Sequence, residues 1–285
     1  MKICKLLLSA ALLLPLFSCS SPIPAPTEVK VMSFNMRYDR PDEGDNNWIP
    51  RRERIVQLVM QQDPDLLGTQ ELLHHQYRYI DSMLTEYASV GVAREDGLEE
   101  GEYNALFFKR DRFTVLDSGT FWLSATPDVA GSQGWDGACK RIATWALLRE
   151  EATGRELLAI NTHLDHVGKK ARRKGILLLS ERIEQLREGR PVILTGDFNA
   201  TPDSKPIQLL LAQGRLVHTR DVAESVEGPL WSFTDFGQIP EEERPLIDYI
   251  FTGGCRTIRY ERLPDTVDGG LVSDHAPVFA LVELN

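Results

Sequence analysis

The chain has 285 residues, with 42 Asp and Glu against 32 Lys and Arg, a formal net charge of −10, 42% hydrophobic and 26% charged residues. These proportions exclude a disordered tail, a collagen-like repeat and a small disulfide scaffold, because the apolar fraction is ample and there are only four cysteines. The net negative charge argues against indiscriminate capture of long polyanions, which needs clustered Lys and Arg, so any phosphate chemistry must be arranged locally.

In chain order, Lys2 and Lys5 precede an almost wholly apolar run from Leu6 to Phe17, the build of a secretory signal peptide over residues 1–18 and too short to span a bilayer. Leu16-Phe17-Ser18-Cys19 resembles the lipobox of bacterial lipoproteins, with Phe17 bulkier than the usual residue, and residues 19–28 read as a lipidated Cys and a Ser/Pro-rich tether. Loss of Lys2 and Lys5 with the leader would leave a charge of −12. From Val29 a strand runs to Met36, and a polar loop leads to a helix around Arg52–Gln61 with Ile55, Val56, Leu58 and Val59 inward. A short strand, Asp65–Thr69, precedes a second amphipathic helix marked by Leu73, Tyr77, Ile80 and Leu84. Between Tyr87 and His163 the apolar runs Ala105–Lys109, Phe113–Leu123, Ile142–Arg149 and Leu157–Asn161 follow one another with no room for helices. Ile176, Leu179, Ile183 and Leu186 mark a third helix, Pro191–Gly196 a buried strand, and Pro206–Ala212 a short fourth helix. Strands are expected at Trp231–Asp235, Leu246–Thr252, Arg256–Arg262 and Ala276–Leu284. No solenoid repeat or second linker is evident, so residues 29–285 read as one domain of two packed sheets covered by helices.

Several strands end in polar groups. Val31-Met32-Ser33-Phe34 stops at Asn35, Leu66–Gln70 delivers Glu71, Leu158–Thr162 delivers His163, Ile193–Gly196 delivers Asp197 and Asn199, and Leu246-Ile247 delivers Asp248, while Ser273-Asp274-His275 precedes the last strand. One such residue is more often a cap or turn residue, but strand ends are where layered α/β sheets place ligand sites. Asn, Glu and Asp offer hard oxygen ligands that suit Mg²⁺ or a similar ion. Histidines near carboxylates serve as phosphate donors and as acids or bases near neutral pH, and an Asp-x-Asn turn can orient a water while donating to a developing oxyanion. Together these describe phosphoester hydrolysis.

The motifs Ser33-Phe34-Asn35, Thr69-Gln70-Glu71, Asn161-Thr162-His163-Leu164, Thr195-Gly196-Asp197-Phe198-Asn199, Ile247-Asp248-Tyr249 and Ser273-Asp274-His275 resemble, in order, the endonuclease/exonuclease/phosphatase superfamily of DNase I-like metallohydrolases. Segments such as Phe121-Trp122-Leu123-Ser124 and Arg141–Ala146 are similar to a secreted or lipoprotein branch of it. The resemblance implies an α+β fold, a four-layer αββα sandwich of two mixed β-sheets flanked by helices. It also implies a Mg²⁺ or Mn²⁺ cofactor, with Glu71 as metal ligand helped by Asn35 and Asp274. Asp197 would orient or deprotonate the attacking water, Asn199 would hold phosphate oxygens, His163 would hydrogen-bond the scissile phosphate with Glu102 supporting its ring, and Asp248 would fix and charge His275. Arg141 and Asn35 are the candidate substrate-binding residues, an ion pair across strands being the alternative for Arg141.

Other residues have bland first readings. Asp165 and His166 fall on a surface loop near the rim. Lys169 to Lys174 is the strongest basic run; a solvated helix face is its ordinary meaning and attraction of phosphate its functional one. Trp48, in an acidic loop that lacks the EF-hand glutamate, is expected in a pocket wall. Cys139 and Cys255, 116 residues apart, are either one disulfide or two buried thiols. The expectation is a secreted, monomeric phosphoesterase acting on a small phosphate mono- or diester and touching membrane only through its lipid anchor. A DNase-type nuclease is the alternative, disfavoured by the charge, and an inactive envelope binding module is the reading from another class.

Overall fold

The computed structural model describes residues 27–284, so the expected leader, Cys19 and most of the tether lie outside the described residues. Strand β1 (Thr27–Asn35) leads through a 3₁₀ segment, Pro41–Asn46, kinked at Gly44, to α1 (Trp48–Gln62), β2 (Leu66–Gln70), α2 (His74–Met83) and the strands β3 (Tyr87–Val90), β4 (Leu106–Lys109), β5 (Phe113–Trp122), β6 (Ile142–Glu150) and β7 (Glu156–His163). Helix α3 (Lys169–Arg187), β8 (Val192–Asp197), α4 (Lys205–Leu211), β9 (Val217–His218), α5 (Thr219–Val222) and β10 (Ser225–Glu227) follow. The chain closes with β11 (Asp248–Gly253), β12 (Cys255–Arg262), the short pair β13 (Thr266–Val267) and β14 (Gly270–Leu271), and β15 (Val278–Leu284). One mixed sheet has the order β10-β12-β15-β1-β2-β4-β3, the other β5-β6-β7-β8-β11-β9.

The period of two along each strand builds both the core and the site. In β1, Met32 and Phe34 face a cluster with Ile55 and Val59 of α1 and Ile80 of α2, while Val29 and Val31 face the other way. In β7 and β8, Leu158, Ile160 and Leu194 pack against Ile176, Leu179 and Ile183 of α3 and Ile207 of α4. Their alternate neighbours Leu157, Ala159 and Ile193 meet Val29, Val31, Leu66, Ile250 and Val282 between the sheets. These three clusters give the four layers, helices outside two sheets. Extending the same parity along the strands carries Asn35, Gln70, His163, Asp197 and Asp248 into the space between the sheets, at one end of it.

A buried polar network joins the sheets just below that end. Asn161 Nδ2 donates to the Thr69 carbonyl at 2.7 Å, its Oδ1 accepts from Gln70 Nε2 at 2.7 Å and from Thr195 Oγ1 at 3.0 Å, and Gln70 Nε2 also reaches Ser33 Oγ at 3.3 Å. Close approach here requires Gly68, because a Cβ on it would lie 2.0 Å from Thr195 Oγ1 and 2.7 Å from Asn161 Oδ1.

Three local expectations change. Helix α1 starts at Trp48 rather than near Arg52, since the Asn47 side chain accepts from Ile49 N at 3.1 Å and Pro50 is tolerated in a first turn. Trp48 is 2% exposed and edge-on to Tyr79, so it belongs to the core and not to a pocket wall. Trp231–Asp235 is an irregular segment, ended by left-handed Asp235 and Phe236 (φ 49° and 54°), whose Phe233 bridges to His275 and whose Thr234 N donates to the Asp274 carbonyl at 2.8 Å. Cys139 and Cys255 are both free thiols.

Candidate active site

Five strands and three loops meet at the end of the sandwich. Parallel pairing of β1 with β2 sets Asn35 opposite Gln70, that of β7 with β8 sets His163 opposite Asp197, and antiparallel β11 sets Asp248 opposite Asp197. Asn35 Nδ2 donates to Glu71 Oε1 and to Asp197 Oδ2, both at 3.0 Å, and its Oδ1 accepts from Arg37 N at 3.0 Å. Asp197 Oδ2 also lies 3.4 Å from His163 Nε2 and 3.8 Å from His275 Nε2, and the opposite nitrogen of His275 meets Asp248 Oδ2 at 2.8 Å. Asn199, left-handed at φ 45°, turns its amide N–H toward His163 Nε2 and the Leu164 carbonyl, both at 3.0 Å, while its backbone N–H donates to Asp197 Oδ1 at 2.9 Å.

Burial sets the electrostatics. It raises the Asp197 carboxyl, helped by the charge of Asp248, to about 7. Burial opposes a cation at His275, but the charge and hydrogen bond of Asp248 overcome it and push the ring up to about 10, so His275 is an imidazolium at neutral pH. Burial, reinforced by Arg141 and Arg94, holds His163 well below its ordinary value and keeps that ring neutral. For Glu71, the hydrogen bond from Asn35 and the charge of Arg37 outweigh burial and keep it ionised. A carboxyl with a pKa near 7 between a neutral imidazole and an imidazolium can exchange a proton with water at working pH.

A model of the Endonuclease/Exonuclease/phosphatase family matches residues 32–275, from within β1 to the His275 ring. The chain belongs to that family. The solved endonuclease/exonuclease/phosphatase from Bacteroides vulgatus is 41% identical, superposes with a TM-score of 0.88, and the match covers 91% of this chain and all of that one. A mannosyl-6-phosphatase from Bacteroides thetaiotaomicron is 33% identical, with a TM-score of 0.85 over 89% of this chain and 99% of that one. Among curated relatives, Nocturnin of Drosophila melanogaster is 27% identical over 213 residues, 65% of this chain, and the chain spans only 30% of the Nocturnin length.

Enzymes of this family are phosphoester hydrolases that use divalent metals, and the donor set here fits such an ion. Glu43, Glu71 and Asp274 share the guanidinium of Arg37, with Arg40 also 3.6 Å from Glu43, and Asp197 and Asp248 share the one ring of His275, so five carboxyls face three cations. That excess of hard oxygen, with no thiolate in the cluster, suits Mg²⁺ or Mn²⁺. Glu71, His163 and Asp197 offer atoms within 4.8 Å of one another, as do Asp197, Asp248 and His275.

Of the residues named from sequence, Asn35, Glu71, His163, Asp197, Asn199, Asp248 and His275 converge. Asp274 lies beside them, 3.1 Å from Ser273 Oγ and 3.3 Å from Arg37 Nη1, the nitrogen it shares with Glu71. Glu102 is corrected: its carboxylate is held by Arg94 at 2.5 Å and Arg141 at 3.9 Å, two guanidinium charges that outcompete a neutral ring, and His163 Nδ1 has no hydrogen-bond partner among the described residues. Arg141 is buried; its Nε and Nη1 make no hydrogen bond but lie 3.9 Å from Asp165 Oδ2 and Glu102 Oε2, and its Nη2 is 3.2 Å from His166 Nδ1. Asp165 is also buried, accepting backbone N–H groups from Cys139, Val167 and Gly168. Sequence reasoning missed Arg37 and Arg94. The only sequence signal for Arg37 is its place two residues after Asn35, and none marks Arg94.

Proposed function

We propose that the protein is an exported, divalent-metal-dependent phosphoesterase that hydrolyses a small phosphate ester, with a sugar phosphate monoester as the first candidate. The carrying observation is the Asp197 carboxyl set 3.4 Å from neutral His163 and 3.8 Å from the His275 imidazolium, which Asp248 holds in place. Support for the sugar phosphate comes from the mannosyl-6-phosphatase, which aligns over nearly the whole domain. A bound Mg²⁺ or Mn²⁺ at Glu71 would supply Lewis-acid stabilisation of charge on a phosphate oxygen. In this reading Asp197 removes the proton from the water that attacks phosphorus in line. Asn199 gives up its bond to His163 and donates its amide to a phosphate oxygen, His163 donates to another from the neutral tautomer that carries its proton on Nε2, and the His275 cation offsets the charge that builds on the five-coordinate phosphorus. Arg141, buried with two nitrogens that make no hydrogen bond and only long ion pairs to Glu102 and Asp165, is placed to take phosphate oxygens bidentately.

Nucleic acid hydrolysis is the second reading, favoured by the basic start of α3 and opposed by the net charge of −10. Export and acylation at Cys19 complete the proposal. The test is purified protein with Mg²⁺ or Mn²⁺ and a panel of mannose 6-phosphate, chromogenic mono- and diesters, nucleotides, inositol phosphates, phospholipids, DNA and RNA. Turnover of a small ester that EDTA abolishes is expected; no turnover of any phosphoester would end the enzyme reading. Incorporation of labelled palmitate that Cys19→Ala prevents would support the anchor.

A further inference from the structure

The basic run at residues 169–174 splits when it folds. Asp136 closes the start of α3 by accepting from Lys170 N at 3.1 Å and Ala171 N at 2.6 Å, and Lys174 lies over the Trp135 ring. Lys169, Arg172 and Arg173 turn the other way, into a cleft of about 450 Å³ completed by Lys205 of α4, Thr201, Ser204 and the active-site residue Asn199. Lys169, Arg173 and Lys205 are exposed and have no hydrogen bond or ion pair among the described residues, while Arg172 is fixed by its bond to the Asp165 carbonyl at 2.6 Å. Surface cations elsewhere on the protein are commonly matched by carboxylates, as Lys109 is by Asp63 and Glu86 and Arg190 by Glu156 and Glu188. Three unmatched cations and one fixed guanidinium around one cleft, in a chain of net charge −10, concentrate positive potential at a single mouth beside the reacting groups.

We propose that this cleft is a subsite for a second anionic group, a phosphate or carboxylate, carried by the ester whose phosphate is bound at His163 and Asn199. The inference rests on the phosphoesterase reading and narrows its substrate class to esters that bear two anions. Asn199 joins the two sites: its amide faces His163 at 3.0 Å, and the residue lines the cleft. The cleft adjoins the catalytic groups rather than enclosing them, so the second anion stays bound while the first is cleaved. Lys and Arg give it a wide capture range without demanding one geometry, whereas Thr201 and Ser204 add short-range hydroxyl contacts.

The experiment compares mannose 1,6-bisphosphate with mannose 6-phosphate, and a 6-phosphorylated aldonic acid (6-phosphomannonate) with the same pair, on the wild type, Arg173→Gln and Lys205→Gln. Both substituted residues are exposed, so neither change threatens the core. Calorimetry in EDTA reads binding without turnover: the doubly anionic sugars should bind the wild type at least tenfold more tightly than mannose 6-phosphate, and either variant should lose most of that advantage. With metal present, the ratio of the two KM values should collapse by the same factor while kcat for the bisphosphate moves less than threefold. A preference for the bisphosphate over the aldonic acid assigns the subsite to phosphate, and the reverse assigns it to carboxylate. Equal wild-type affinity for one and two anions, or variants that keep the full preference, would overturn the subsite. If no ester is hydrolysed even with metal, the phosphoesterase reading fails, and the calorimetric comparison still decides whether the cleft binds the second anion.

Discussion

Replacing Asp248 by Asn removes the charge that makes His275 a cation while keeping the volume and one hydrogen-bonding group. Raising that ring from 6.5 to about 10 corresponds to about 5 kcal/mol of folded-state preference for the imidazolium. Because the folded value lies above the unfolded one, this stabilisation is fully present below pH 6.5 and is lost as pH rises through about 10. Urea unfolding of the wild type and Asp248→Asn at pH 6, 8 and 10 therefore should show a gap that is widest at pH 6 and narrows toward pH 10, and the lower Asp197 pKa that follows loss of the Asp248 charge works in the same direction as pH passes about 7. Near pH 8 the variant ring is largely neutral, so kcat should fall roughly 10²- to 10⁴-fold, the range for loss of a positioned acid or charge. The high-pH limb of the kcat profile should also move from about 10 toward the ordinary imidazole value. A gap in stability that does not change with pH, together with turnover within threefold of wild type, would refute the assignment of His275 as a catalytic cation held by Asp248.

Asp197→Asn should lower kcat by a similar roughly 10²- to 10⁴-fold and abolish the rise in wild-type rate as pH passes about 7. It should also stabilise the fold by a few kcal/mol, roughly, above that pH, since a carboxyl whose pKa is raised loses stability as pH climbs through the folded value; a less stable variant at pH 8 in urea would contradict this. Gly68→Ala drives a methyl to within 2.0 Å of Thr195 Oγ1, so about 1–3 kcal/mol of stability should be lost in thermal or urea unfolding, and an unchanged melting temperature would show that the sheets can part there freely. Arg51 is fully buried and donates to the carbonyls of Met36, Asn46 and Val272 at 2.6–2.8 Å. Arg51→Met strands these acceptors and should cost roughly 2–5 kcal/mol, with loss below 0.5 kcal/mol by the same measurement counting against it.

Much of this site was legible because strand periodicity and chemistry coincide. Val29 and Val31 announce the inner face of β1, and two steps further along the same face stands Asn35; Ile193 likewise leads through Thr195 to Asp197, and the row of Leu157 and Ala159 continues through Asn161 to His163. What the sequence could not weigh is competition between partners. The family resemblance gives Glu102 to His163, but Arg94 and Arg141 arrive from other segments and bind the carboxylate more strongly than a neutral ring can. Arg37 was invisible for the same reason, because its meaning depends on Glu43, Glu71 and Asp274 converging on it from three stretches of chain. Trp231–Asp235 reads as a strand in its alternation, yet the two left-handed residues at its end prevent a ladder and leave it to hold Asp274 and His275 from outside.

The balance of charge links the cation to the substrate. Five carboxyls against Arg37, Arg40 and His275 would repel a phosphate brought among them, and burial makes that repulsion stronger than it would be in water. A divalent cation reverses the sign of the local field, so phosphate and cation each favour the other, and reciprocity requires the two enhancements to be the same factor. Calorimetric titration with Mg²⁺ should accordingly give a higher affinity in the presence of inorganic phosphate, and phosphate titration a higher affinity in Mg²⁺, by one common ratio. Glu71→Gln should shrink that ratio, since it removes a carboxylate that attracts the cation and repels the phosphate. Identical Mg²⁺ affinity with and without phosphate would show that the two bind independently, and the carboxyl cluster would then have to be read as a structural charge network instead of a place where cation and phosphate meet.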